Sequence, residues 1–553
     1  MTFGSDTRST SPSLLSPIPL TLLIVAVVIG ALLRLIGNYQ PFTSSDHAEV
    51  AAIVSYFYPR NWQMLIPSES STWNMLTNPH GMLSLILAFV SISVVGLLGI
   101  PITEFWWNLP FVLVHLAGIP LTAVLVKRLA GTWAGILAAF LITLMPIHAV
   151  MSRASGVGNM PLTFECQMLT LLMLLRYAEQ PNAKRARHLG IALAVNLLVE
   201  LFFPLLFVLV LGTGVLAVGD KRTKTLIDRI NRARALLFVP RVMMLPMLVL
   251  LANLGMLLLK VNGYTEMGGL SARLMTGSDR QPGIHLNDFI NNSTYVVGWV
   301  VVVILALLGV ANWRAAKELR LTSLPLYWSI LYLMPFLIFS RPHVFEYFLL
   351  GLAPLLLNAA IVLGSWLRSD MPRRVAAVLV GACLIALLGG RSLSMIFSVP
   401  MPSFVGNGTA NGAVFPDQGL KAAAWWVRER TEPEQSVFAD WIFEPYQMSY
   451  YFHRPFVAVT DAKEPLEAYT LLESQQTPPT YYLVLPGNEH LLQEYASGTP
   501  TLRATVTVNG EPKLLIFGEG SGEPETIVAE QANALFDEQF GPWRSMFSIG
   551  TRK

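Results

Sequence analysis

Asp46 and Glu49 stand three positions apart in the run Asp46-His47-Ala48-Glu49, and the polar, aromatic-rich stretch that follows closes on Asn78-Pro79-His80-Gly81. A carboxylate held beside a substrate hydroxyl can take its proton, and neighbouring imidazoles can orient the partners or contact an anion. The same spacing also suits a plainer role. With Asp46 as the cap and Glu49 at the third helical position, the pair reads as a capping box ahead of the apolar run that begins at Val50. The two readings are compatible, because a capping carboxylate can still face a pocket. Further along the chain Arg153, Asn159, Arg280, Arg341 and His343 fall at the ends of apolar runs, where a charged or polar group is a functional candidate by default. The plain alternative is a solvated loop residue, or for each arginine a side chain snorkelling to a membrane surface.

The elements that must position these groups are mostly apolar. Of 553 residues, 53% are hydrophobic and 13% charged, with a mean hydropathy of +0.52. Soluble domains carry about 25% charged residues. The deficit, with many apolar runs of about 18–25 residues, describes a polytopic membrane protein. A net charge of +3 without a basic, aromatic-interleaved tract gives no support for nucleic-acid binding. Cys166 and Cys383 both lie in apolar runs and read as buried free thiols, not as a disulfide or a metal site.

Residues 1–17 are Ser/Thr/Pro-rich and read as disordered. Residues 18–36 read as an uncleaved first span, and further runs follow at 82–100, 106–126, 131–150, 160–177, 189–203, 205–219, 235–260, 294–311, 322–340, 344–367 and 374–398. If 82–100 does not cross, about 19 basic residues fall on one side of the membrane and about five on the other. The positive-inside rule therefore predicts about 11 spans, a cytoplasmic N-terminus and an interfacial helix at 82–100. It also places outer loops at 37–106 and 261–292. Pro204, between two short runs, marks either a broken helix or a tight turn.

From residue 399 to 553 the long apolar runs stop, and alternating patterns predict a small extracytoplasmic α/β domain with a parallel core. Helices are expected at 417–430, 464–473 and 489–496, with a helix or turn at 444–452. Strands are expected at 436–440, 456–460, 480–485, 501–508 and 513–517, with a hairpin turn at Val508-Asn509-Gly510-Glu511. The tail beyond Gly518 reads as an acidic, Gly-rich segment ending in a patch, Phe540-Gly541-Pro542-Trp543-Arg544, that rests on the membrane.

The order of these features resembles the GT-C-fold glycosyltransferases that use lipid-linked sugars, a superfamily that includes protein O-mannosyltransferases and the lipid A aminoarabinose transferase. Asp46-His47-Ala48-Glu49, after one span, is similar to the acidic motif opening their first outer loop, with His47 in place of the usual Glu. Asn78-Pro79-His80-Gly81 resembles their basic, proline-flanked stretch before a juxtamembrane helix. Lys127–Gly135 resembles a basic cytoplasmic turn. Met145–Ala154 resembles the outer Ser-Arg stretch, with Asn159 where a second Asp is usual. Phe339-Ser340-Arg341-Pro342-His343 through Phe348 resembles a late outer motif. The likeness covers residues 18–398, and a soluble domain after it is common in the superfamily.

The resemblance implies an inverting transfer of a sugar from a polyprenyl-phosphate donor to a hydroxyl of a glycan, lipid or protein, at the outer face of the cell membrane. Asp46 would be the general base. Arg153 and Arg341, then His343 and His80, would face the phosphate, with His47, Glu49, Asn159 and Arg280 as further contacts. No cofactor is implied; a divalent metal held by Asp46, Glu49 and Asp288 is a minority reading. Two other classes remain in view. One is a non-catalytic membrane subunit on the same scaffold. The other is a lipid or solute transporter, which would use acids within the spans such as Glu165 and Glu200, with Asn196 as a partner.

Overall fold

The computed structural model describes residues 13–36, 41, 50–51, 82–153, 159–199, 207–212, 226–263, 285–315, 321–338, 345–397, 417–432, 435–439, 445–454, 456–458, 479–496 and 498–541. Its first helix, α1 (Pro17–Leu35), has proline at its start, where the missing N–H would be unsatisfied in any case. Ser16 Oγ donates to the Ser13 carbonyl at 2.6 Å, so a turn precedes α1 where the composition suggests disorder as far as residue 17. α2 (Met82–Leu97) has 16 residues and reaches about 24 Å, less than the about 30 Å of a hydrocarbon core. α3 (Glu104–Ala130) carries Glu104 in its first turn and Lys127 and Arg128 in its last, each matched to the helix dipole.

α4 (Thr132–Thr143) and α5 (Pro146–Met151) correct the expectation of one span over 131–150. Proline has no N–H to continue the ladder, so the chain breaks after Leu144 and restarts at Pro146. α6 (Asn159–Glu179), α7 (Ala183–Val199), α8 (Leu226–Leu237) and α9 (Pro240–Gly263) follow. Pro204 and the residues around it lie outside the described ranges. α10 (Leu286–Val297) and α11 (Trp299–Ala315) meet at 105° across Gly298, so the run 294–311 is not one straight span either. α12 (Leu324–Ile338), α13 (Phe345–Trp366) and α14 (Met371–Phe397) complete the apolar part.

Among the described residues four helices are long and apolar enough to cross a membrane: α1, α3, most of α13, and α14; the bent α10–α11 pair would make five. Leu83–Leu97, Thr132–Thr143 and Pro240–Ala252 are apolar but shorter. The 11 expected spans are therefore not all reached by single helices. α13 is the centre of the bundle, with Phe348, Ala353, Leu356, Leu357 and Ala360 fully buried. α1 and α14 present much of their apolar surface outward, as Ile24, Val28 and Leu379 show. Cys166 is a buried free thiol as expected, but Cys383, on the outward side of α14, is an exposed one.

The C-terminal unit is a mixed sheet with strand order β2-β1-β3-β5-β4-β6. After α15 (Leu420–Arg430) come β1 (Val437–Ala439), α16 (Pro445–Phe452), β2 (Phe456–Ala458), β3 (Tyr481–Val484), α17 (Leu491–Tyr495), β4 (Thr501–Val508) and β5 (Glu511–Gly518). β1 is parallel to both β2 and β3, which is the expected parallel core. β5 is antiparallel to both β3 and β4, so it interrupts the parallel pairing in the middle of the sheet. The β4–β5 turn is the expected hairpin: Asn509 and Gly510 have φ of 52° and 80°, the paired positive values of a two-residue I′-type loop. The expected helix at 464–473 lies outside the described residues.

The tail is more structured than its composition suggests. β6 (Glu525–Val528) adds to the edge of β4 in parallel, and α18 (Ala529–Phe540) packs through Ala529, Ala532 and Phe536 into the core shared with α15. The Arg428 guanidinium stacks 3.6 Å from the Phe540 ring centroid, and Pro542, Trp543 and Arg544 of the expected membrane patch lie outside the described residues.

This unit is seated on the entrance of α3. The Ile102 N–H donates to the Gly541 carbonyl at 2.8 Å, and Trp107 Nε1 donates to Tyr450 Oη at 2.9 Å. Gly30 of α1 lies against Leu116 and Ile119 of α3. The end of α1 that leads into residues 37–49 therefore faces the same way as the end of α3 that carries the C-terminal unit.

Candidate functional site

Four elements bring charge into the apolar bundle at one level. Arg34 comes from the last turn of α1, His115 from α3, His148 from α5 and Glu165 from α6; Arg34, His115 and His148 are fully buried and Glu165 is 4% exposed. Arg34 Nη2 lies 2.8 Å from His148 Nδ1. A guanidinium only donates, so His148 accepts at Nδ1 and carries its proton on Nε2, which faces Glu165 Oε1 at 3.5 Å. Glu165 Oε2 accepts from His115 Nδ1 at 2.9 Å. The two imidazoles meet edge to face, with ring centroids 5.8 Å apart. Glu165 has room because residue 118 of α3 is glycine: a Cβ there would lie 2.3 Å from its Oε1.

Arg153, just after α5, is 8% exposed and donates through Nη2 to the Ile36 carbonyl at 2.5 Å. Arg34 itself also bonds the Gly30 carbonyl at 3.2 Å. The last turn of α1 is thus gripped from outside by α5, by the residue after α5, and through His148 by α6. The chain then runs into the segment that carries Asp46. Among the described residues several buried atoms of this cluster have no hydrogen-bond partner: Arg34 Nε, His115 Nε2, His148 Nε2, Glu165 Oε1 and Arg153 Nη1. The arrangement holds two guanidiniums and one carboxylate, with donors left over, at the mouth of the loop.

Of the residues singled out from sequence, Arg153 is brought to this cluster. Asn159 opens α6, but its side chain lies outside the described residues, as do Asp46, His47, Glu49, His80, Glu200, Arg280, Arg341 and His343. Glu165 is partnered by His115 and His148, not by Asn196; both side-chain amide atoms of Asn196 are buried without a partner among the described residues. Arg34, His115 and His148 were not anticipated. Their signal was available: ionisable side chains inside apolar runs. For the metal reading, Asp288 lies 3.8 Å from His285 Nδ1, and among the described residues no three His, Cys, Asp or Glu are grouped to hold an ion.

A second buried ionic network lies at the junction with the C-terminal unit. Lys421 Nζ of α15 sits 2.8 Å from Glu104 Oε2 and 2.6 Å from Asp537 Oδ1, and Tyr451 Oη donates to Glu104 Oε1 at 2.9 Å. Burial alone would lower the Lys421 pKa, but the Glu104 and Asp537 carboxylates outweigh it and hold the ammonium above its usual value. Asp537 is pushed up to about 6 by burial and by the nearby Glu104 charge, against the pull of Lys421.

The chain is similar to ArnT from Cupriavidus metallidurans bound to undecaprenyl phosphate, with a TM-score of 0.57 and 14% identity over 90% of this chain and 97% of that one. It is similar to the oligosaccharyltransferase of Archaeoglobus fulgidus, with a TM-score of 0.53 and 11% identity over 92% of this chain and 75% of that one. It also matches the arabinofuranosyltransferase AftD from Mycobacteria, with a TM-score of 0.50 and 15% identity over 93% of this chain but 42% of that one. No protein-family model and no curated protein sequence matches it. The fold is that of the GT-C glycosyltransferases.

Proposed function

We propose that this protein is a membrane glycosyltransferase that moves a sugar from a polyprenyl-phosphate donor to an acceptor hydroxyl at the extracytoplasmic face of the cell membrane. The observation that carries the reading is the gripped end of α1. Arg34 and Arg153 fix the turn that leads into residues 37–49, and they do so within a fold whose solved example ArnT was crystallised with undecaprenyl phosphate. The charge asymmetry of the loops supports an outer location for this end of α1 and for the C-terminal unit with it.

In this mechanism the acceptor oxygen attacks the anomeric carbon as Asp46 takes the hydroxyl proton. The bond from that carbon to the phosphate oxygen breaks, its electron pair leaves with the polyprenyl phosphate, and the anomeric configuration inverts. The leaving phosphate gains charge, so fixed cationic donors lower the barrier. Arg153, with Nη2 committed to Ile36 and Nη1 without a partner among the described residues, is suited to this; Arg341, His343 and His80 are its proposed companions. His47, Glu49, Asn159 and Arg280 are assigned to substrate contact. Arg34, His115, His148 and Glu165 act as positioning residues.

The test is Asp46→Asn in proteoliposomes supplied with a lipid-linked sugar. The reading expects transfer to fall by about 10²-fold or more, within the range for loss of a general base, while insertion and folding stay normal. Full activity in that variant would end the role of Asp46.

A further inference from the structure

α8 takes no part in the chemistry proposed above, yet it is a strongly polarised helix beside the apolar bundle. The stretch Lys221–Arg241 holds seven Lys and Arg residues against one acid, Asp228. At 3.6 residues per turn, Ile230, Ile227 and Phe238 fall within about 80° of one another around α8, with Arg234 between them and Arg229 and Arg232 at positions on the opposite side. The C-terminal end of the helix is seated on the bundle: Leu236 is 8% exposed in the main core, and Leu237 packs against that core. Ile227, Ile230 and Phe238 are 69%, 49% and 70% exposed.

What lies next to this surface identifies its occupant. α9 begins at Pro240, two residues beyond Phe238, and turns Met244, Leu248 and Leu251 outward, all more than half exposed. Outward apolar side chains on a helix of this bundle face lipid. Phe238 and α8 therefore sit at the rim of a lipid-facing surface, where acyl chains give way to headgroups. An amphipathic helix rich in arginine at that level matches an in-plane helix on an anionic leaflet. In water the same three side chains would form an exposed apolar patch with nothing to cover it.

We infer that α8 lies along the bilayer surface and binds anionic lipid headgroups. Ile227, Ile230 and Phe238 sit in the acyl boundary, and Arg234, on the same side of the helix, reaches the lipid phosphates. The leaflet is the one opposite the C-terminal unit, so the contact is separate from the sugar-transfer site and does not depend on it.

The experiment is amide hydrogen exchange of the full chain in two kinds of nanodisc, one of phosphatidylcholine alone and one containing phosphatidylglycerol. Each basic residue held at an anionic surface is worth roughly fivefold in the bound equilibrium. Exchange over 226–238 is expected to slow at least about tenfold in the anionic disc. The slowing is expected to vanish in about 1 M salt, where the Debye length falls to about 3 Å. It is also expected to vanish in the triple variant Arg229→Gln, Arg232→Gln, Arg234→Gln, with exchange in α13 unchanged. Equal exchange in the two discs overturns the inference. So does equal protection by inorganic phosphate added to phosphatidylcholine discs, which would mean an anion site without a membrane surface. If the triple variant loses protection in α13 as well, the salt dependence of the unaltered protein decides between the outcomes.

Discussion

The two buried ionic networks are built from the same kinds of group and are finished differently. At the junction, Lys421 lies between Glu104 and Asp537, Tyr451 completes Glu104, and none of the buried polar atoms of the four lacks a partner. In the bundle, Arg34, His115, His148, Glu165 and Arg153 leave five such atoms without one among the described residues. A buried network with every group satisfied fixes one arrangement and resists change. A buried network with donors left over has a cost that packing alone does not explain, and it is the usual mark of a site that completes itself on a ligand or a neighbouring segment. The junction is therefore a clasp, and the bundle cluster is suited to the positioning role proposed for it.

Lys421→Met should give the largest loss. It leaves the Glu104 carboxylate, 1% exposed, beside Asp537 with no cation, and breaking a buried pair in this way costs about 3–5 kcal/mol. Thermal unfolding of the purified chain should show the drop, with early proteolysis of the C-terminal unit. Glu165→Gln should cost less, about 1.5–3 kcal/mol, because the amide oxygen can still accept from His115 and what is lost is the charge that strengthens that bond. Sugar transfer should fall by more than that loss of stability explains, with the change in kcat and not in KM. If Glu165→Gln destabilises as much as Lys421→Met and leaves kcat alone, the contrast between clasp and site is wrong.

How far the sequence could be read follows the same divide. Local patterns were legible: strands β1 and β3 as apolar runs, and the hairpin from Asn509-Gly510. β6 and α18 were not. β6 buries only Ile527 of its four residues, and α18 follows a stretch of Gly, Ser and Glu that gives no apolar period. In the site, Arg153 was legible because it ends an apolar run. Arg34, His115 and His148 were absorbed into the spans that contain them, and their pairings join residues 114 and 50 positions apart, which no local pattern shows. The breaks at Pro146 and Gly298 escaped a hydropathy reading for a related reason: apolar character runs straight through both.

The clasp also has a pH signature. The Asp537 pKa rises from 3.8 unfolded to about 6 folded, so its contribution to stability is complete below about 3.8 and is lost as the pH rises through about 6. Midpoint temperatures measured from pH 4 to pH 7 should decline for this reason by an amount equivalent to on the order of 2 kcal/mol. Asp537→Asn, which carries no titrating proton, should flatten that part of the profile. A profile identical in the two proteins would remove Asp537 as its source.

Tyr450→Phe should have the smallest effect and tests the uncharged edge of the same junction. Trp107 is fully buried, and its Nε1 donates to Tyr450 Oη at 2.9 Å. Removing the hydroxyl leaves that N–H without its acceptor, a loss of about 1–2 kcal/mol. The ring contact with Trp107, at 6.1 Å between centroids, survives in phenylalanine, so packing is nearly unchanged. A chain held to its C-terminal unit chiefly by the ionic clasp should therefore tolerate this change and keep its pH profile. A loss as large as that of Lys421→Met would mean that the neutral contact holds the junction, and that Glu104, Lys421 and Asp537 only decorate it.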